Sequence, residues 1–114
     1  MKLGEVSLLT NDVPRLANFY KALLGVENGS EDAIHQTILM EEPMLTVYND
    51  GTVKTGNSQR MCVAFTVDDM DAAFAQVCAL GAEVLETPTR RPWGAVNMSF
   101  LDPDGNIVYL RQLM

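Results

Sequence analysis

The sequence predicts an α+β fold of two βαβββ modules, a pair of curved half-barrels around a cavity. Three observations carry this expectation. Residues 5–12 lie over residues 62–69 at an offset of 57, half of the 114-residue length. Each copy runs into an apolar stripe of helical period that opens on an aspartate and stops at a glycine. Each stripe is followed by short strand-like runs separated by turn residues.

Taken in order, residues 5–12 predict a first strand. Asp12 is placed to accept from the open backbone N–H groups of a helix, with Pro14 in its first turn, where a missing N–H costs nothing. Val13, Leu16, Phe19, Tyr20, Leu23 and Leu24 share one stripe, and Gly25 supplies a left-handed stop. A short strand is expected at residues 26–28, then strands at 33–40 and 44–48 joined by the turn Glu41-Glu42-Pro43. The second copy repeats the pattern with Asp69 as cap, Met70, Ala73, Phe74, Val77 and Leu80 as stripe, and Gly81 as stop. A short strand at 83–86 and a loop at 87–94 follow. Strands at 96–101 and 106–113 then form a hairpin around Asp102-Pro103-Asp104-Gly105, where proline fixes φ and glycine frees it. This organisation is one domain with modules at about 1–50 and 60–114 and a Gly/Thr/Asn/Ser-rich linker at about 51–59.

A chain of this length can bury a core without disulfides or metal. No apolar run approaches the roughly 18 residues of a membrane span, and the N-terminal residues lack a secretory pattern, so a cytoplasmic location is expected with no membrane partner. Cys62 and Cys78 form no CxxC pair and are expected to be reduced thiols. The net charge of -7 disfavours phosphate backbones, which argues against nucleic acid.

Asn11-Asp12 through Phe19-Tyr20 to Leu24-Gly25, Phe65-Thr66-Val67-Asp68-Asp69 through Leu80-Gly81, Pro92-Trp93-Gly94 and Asp102-Pro103-Asp104-Gly105-Asn106 stand in a telling order. In these pieces the chain resembles a single-unit member of the vicinal oxygen chelate superfamily, the glyoxalase, bleomycin-resistance and dioxygenase group. The resemblance implies one metal ligand from each of four strands, commonly His on the first strand of each half and Glu on the last. Those places fall on Glu5, Thr46, Cys62 and Tyr109. Only Glu5 is an ordinary hard ligand: Thr46 and Tyr109 are neutral hydroxyls at pH 7, and Cys62 must first lose a proton. A slip of one residue would replace Thr46 by Leu45, which cannot ligate. The chain therefore looks more like the metal-free binding proteins of the group than its metalloenzymes.

Strand alternation predicts the cavity lining. Val6 and Leu8 should face the helix, leaving Glu5, Ser7 and Leu9 inward; Met44, Thr46 and Tyr48, then Cys62, Ala64 and Thr66, then Ile107, Tyr109 and Arg111 follow suit. This lining is apolar and aromatic with a few polar points, as in small-molecule pockets. An ionised Glu5 would favour a cationic or hydrogen-bond-donating ligand unless Arg111 neutralised it, and it could equally stand in water at a strand end. Trp93 could stack on a planar ligand or cover the core. His35 reads as a half-buried strand residue rather than a catalyst, and Cys62 as a small buried thiol rather than a nucleophile. The methionines, among them Met40, Met44, Met61 and Met98, read as core filler more than as a deformable wall. Arg90 and Arg91 read as a solvated pair that could meet an anion.

The leading expectation is metal-independent binding of a small aromatic or amphipathic molecule through Glu5, Ser7, Thr46, Tyr48, Cys62, Ala64, Trp93, Tyr109 and Arg111, with no cofactor. A homodimer is expected, as the resemblance implies that halves of such proteins pair across an interface. The competing expectation is a metal-dependent lyase, isomerase or dioxygenase that uses Glu5 with unusual ligands such as His35, the metal acting as Lewis acid. A third is a cavity filled by side chains, in a protein that only associates with other proteins.

Overall fold

The structure is a computed structural model and describes residues 3, 5–54, 62–92 and 94–114. Its elements are β1 (Glu5–Leu9), α1 (Val13–Leu24), β2 (His35–Leu39), β3 (Met44–Tyr48), β4 (Cys62–Thr66), α2 (Met70–Ala79), β5 (Glu83–Arg91), β6 (Ala95–Leu101) and β7 (Ile107–Leu113). They form two compact units, Met1–Asn57 and Ser58–Met114, both α+β: the first runs βαββ and the second βαβββ. The 55–59 part of the expected linker, together with Met61 and Trp93, lies outside the described residues.

In the first unit the sheet runs β1-β3-β2, with β1 and β3 parallel and β2 and β3 antiparallel. Helix α1 forms where expected. The Asp12 side chain accepts from the Arg15 N–H at 3.2 Å, and Gly25 ends the helix at φ 66°, a left-handed conformation glycine takes without strain. Val13, Leu16, Ala17, Tyr20 and Leu23 are its buried residues, against Leu8, Ile38, Leu45 and Val47 from the strands. Ala17 belongs to this core although a hydrophobic stripe of large residues passes over it.

The strand expected at residues 26–28 does not form. Side chains bind what a strand would have bound. The Lys21 ammonium donates to Asn28 Oδ1, the Ser30 carbonyl and Gln36 Oε1 at 3.1, 3.1 and 3.2 Å. The Asn28 amide donates to the Thr37 carbonyl at 2.9 Å, and Gln36, 2% exposed, donates to the Asp32 carbonyl. Three acceptors around one ammonium satisfy all its donors, so this loop is fixed by a polar network rather than by a ladder.

The second unit has the full strand count in the order β4-β7-β6-β5, with β4 and β7 parallel and the other neighbours antiparallel. The Asp69 side chain caps α2 by accepting from the Ala72 N–H at 3.2 Å, and the Gln112 side chain accepts from the Met70 N–H at 2.8 Å. Met70 and Val77 are the fully buried residues of α2, over Met98, Phe100, Val108 and Leu110. Ala73, Phe74 and Leu80 are half-buried, so this helix seats less deeply than its stripe suggested.

The loop expected at 87–94 is mostly strand: β5 runs to Arg91. It is the outermost strand of its sheet, and its pairing with β6 shifts register between Glu86 and Thr89, which accommodates Pro88 where no ladder hydrogen bond is required. The β6–β7 turn forms as expected. Asp102 is buried and accepts from the Asp104 and Asn106 N–H groups at 2.9 Å and from the Asn106 amide at 2.8 Å, while Gly105 takes φ 82°.

Candidate ligand site on the second sheet

Residue parity puts two kinds of side chain on each sheet. On the second, Val63, Phe65, Met98, Phe100, Val108 and Leu110 lie on the α2 side, leaving the other set on the opposite face. Register orders that face into rows. Ala64 lies opposite Tyr109 and Tyr109 opposite Ser99; Thr66 lies opposite Arg111 and Arg111 opposite Asn97; Leu113 lies opposite Ala95 and Ala95 opposite Arg91. Successive rows stand about 7 Å apart, two residues along a strand.

A cavity of about 440 Å³ opens on this face, lined by Ala64, Arg91, Ala95, Asn97, Tyr109, Arg111 and Leu113. Its floor is made of small residues beside one phenol ring, so a flat apolar body has room. Its polar groups are unevenly engaged. Arg91 donates to Glu86, an ion pair that leaves little net charge. Arg111 Nε donates to Thr66 Oγ1 at 2.9 Å. Asn97 Oδ1 is sealed from solvent without a hydrogen-bond partner among the described residues, and buried polar atoms in that condition are uncommon.

The expected site residues divide between the two sheets. Ala64, Tyr109 and Arg111 come together in this cavity. Cys62 sits in a neighbouring row, opposite Ile107, and is exposed, which corrects the reading of a buried thiol: β4 is an edge strand whose residues facing away from α2 are uncovered. Asn97, Ala95 and Leu113 were not anticipated, and Arg91 only as half of a solvated pair that could meet an anion. Alternation carried onto β6 places Ala95, Asn97 and Ser99 on one side and Met98 and Phe100 on the other, so that signal was present. Arg91 enters the lining because β5 continues through the segment expected as loop.

On the first sheet, Ser7 lies opposite Thr46 and Leu9 opposite Tyr48. The Thr46 hydroxyl donates to Glu5 Oε2 at 3.0 Å, which puts both on one face of the sheet, while Leu45 is buried as core. Glu5 is exposed at the start of β1 and already holds this donor. His35 is exposed rather than half-buried and meets Tyr48 edge-on, with ring centroids 5.6 Å apart. Met98 and Met70 are core, whereas Met40 is exposed.

The metal places implied by the resemblance do not suit a divalent ion. Thr46 is 1% exposed and spends its hydroxyl proton on the only carboxylate of the set, and the remaining donors are a thiol and a phenol. No group of three or more His, Cys, Asp or Glu residues converges among the described residues. Nor is any helix among them long and apolar enough to cross a membrane.

Two modules, βαββ and βαβββ, each with the first strand parallel to the last and a helix between the first two strands, define the class of α+β protein at hand. The chain belongs to the Glyoxalase/Bleomycin resistance protein/Dioxygenase superfamily, whose model matches residues 2–110. It is 27% identical over 128 aligned positions to the uncharacterized protein YraH of Bacillus subtilis (strain 168), with both chains covered in full. The fold is shared with a glyoxalase/bleomycin resistance protein/dioxygenase family enzyme from Burkholderia phytofirmans PsJN, at a TM-score of 0.83, 17% identity and full coverage of both chains. It is shared too with a lactoylglutathione lyase from Agrobacterium tumefaciens, at a TM-score of 0.73 and 20% identity over 95% of this chain and 90% of that one.

Proposed function

We propose that the protein binds and sequesters a small aromatic or amphipathic molecule without a metal cofactor, on the face of the second sheet away from α2. The observation that carries this reading is the cavity of about 440 Å³ whose apolar floor adjoins an Asn97 amide without a partner among the described residues and an Arg111 guanidinium held by one hydrogen bond. Tyr109 offers a ring to stack on, and Ala64 and Ala95 leave the space a larger side chain would fill. The poor donor set at Glu5, Thr46, Cys62 and Tyr109 supports binding over metal-assisted chemistry. The working form in this reading is a cytoplasmic homodimer that engages neither nucleic acid nor membrane, in keeping with the net charge of -7.

The test is calorimetric titration with 2-naphthol, a neutral planar probe. Saturable binding that weakens about tenfold in Tyr109→Ala is expected, the loss of one aromatic wall. Absence of saturable binding by planar probes would overturn the reading. So would stoichiometric metal in protein purified without chelator, if that metal were lost in Glu5→Ala.

A further inference from the structure

We propose that the ligand is an organic anion, a flat apolar body bearing a carboxylate, and that Arg111 receives the carboxylate. This inference rests on the binding reading above and narrows it. It begins from charge. The chain carries a net -7, yet none of the seven residues lining the cavity is Asp or Glu, and two are arginines. Arg91 is matched by Glu86. Arg111 is not matched: it makes no ion pair among the described residues, and its one hydrogen bond runs from Nε to Thr66 Oγ1.

That single bond leaves both Nη groups of the guanidinium uncommitted while holding the plane of the group in place. A planar fork with free N–H groups suits the two oxygens of a carboxylate. Asn97 lies opposite Arg111 on β6, and no hydrogen bond fixes its amide among the described residues. Oδ1 is the sealed atom of that amide, so its NH2 is the end left to face the same anion. One row away, Tyr109 supplies the ring for the apolar body, and Leu113 closes the other side. Donors in one row between apolar walls in the rows on either side describe an amphipathic acid better than a neutral or cationic molecule.

The probes are 2-naphthoate, 2-naphthamide and 2-naphthylmethylammonium, equal in ring system and different in charge, titrated against the intact chain and against Arg111→Gln and Arg111→Lys. Circular dichroism checks that each variant is folded. The intact protein should bind 2-naphthoate at least about tenfold more tightly than 2-naphthamide, the scale of one charge-assisted pair of hydrogen bonds. Arg111→Gln should abolish that preference by weakening 2-naphthoate far more than 2-naphthamide, and Arg111→Lys should retain part of it, keeping the charge without the fork. Equal binding of acid and amide, a preference that survives in both variants, or tighter binding of the ammonium would overturn the anion assignment and leave the binding reading standing. Failure of all three probes would overturn both.

Discussion

The two units began as one pattern and have disposed of their polar groups in opposite ways. Ser7 lies opposite Thr46 in the first and Ala64 opposite Tyr109 in the second, so Thr46 and Tyr109 are equivalent positions. In the first unit that position is spent internally, Thr46 donating to Glu5. In the second, Tyr109 lines an open cavity beside an arginine and an asparagine with donors to spare. The first sheet thus satisfies itself, and the second sheet is left able to satisfy something else. A duplicated scaffold lets one copy keep order while the other keeps a binding face.

The sharpest way to break this comparison is to damage each core in turn. Phe100→Ala in the second unit and Tyr20→Ala in the first, both fully buried, should each lose about 3–5 kcal/mol in urea unfolding. Equal losses in a single transition would show that the units unfold together, and separate transitions that each keeps its own stability. Next, Asp102→Ala removes the acceptor for three hydrogen bonds in a turn the first unit lacks, and should lower stability by about 3 kcal/mol.

Lys21→Met tests the corresponding device of the first unit. It leaves Asn28, Ser30 and Gln36 short of a donor and should lower stability by about 2 kcal/mol, read from the shift in urea midpoint. Smaller still is the effect of Glu5→Gln on ligand binding. Because the Thr46 hydroxyl can donate to the amide oxygen as it does to the carboxylate, the affinity for 2-naphthoate should change less than about twofold. A larger change would move the site toward the first sheet.

The smallest effect is one of pH. The Asp32 carboxyl is held below its usual value of 3.8, chiefly by the His35 N–H and then by the Ile34 N–H. A lowered pKa adds stability that is complete above the usual carboxylate value and is lost as pH falls through the lowered one. Asp32→Ala should therefore destabilise at pH 7 and make progressively less difference as the medium is acidified below pH of about 4, as thermal melts across that range would show.

Much of this was legible in the residues. The offset of 57, the aspartate caps and the glycine stops define both helices, because capping is a local matter between neighbours in the chain. The segment at 26–28 was not legible as irregular, since what replaces a strand there is a lysine five residues back in the chain and a glutamine eight residues on. Likewise Pro88 argues for a loop unless one knows that β5 is an edge strand with a shifted register. The cavity was half legible: alternation on β4 and β7 finds Ala64, Tyr109 and Arg111, whereas Asn97 matters only because its amide goes unpaired, a fact of three-dimensional packing.

The loop that stands in for the missing strand also bears on how the first sheet meets other chains. Strand β2 is the outer strand of that sheet, and a bare outer strand invites a foreign one to pair with it. Along this one the His35 N–H is already given to Asp32 and the Thr37 carbonyl already receives from Asn28. An incoming strand would find both of those sites taken, so the same side chains that tie down the loop guard the sheet against edge-to-edge growth.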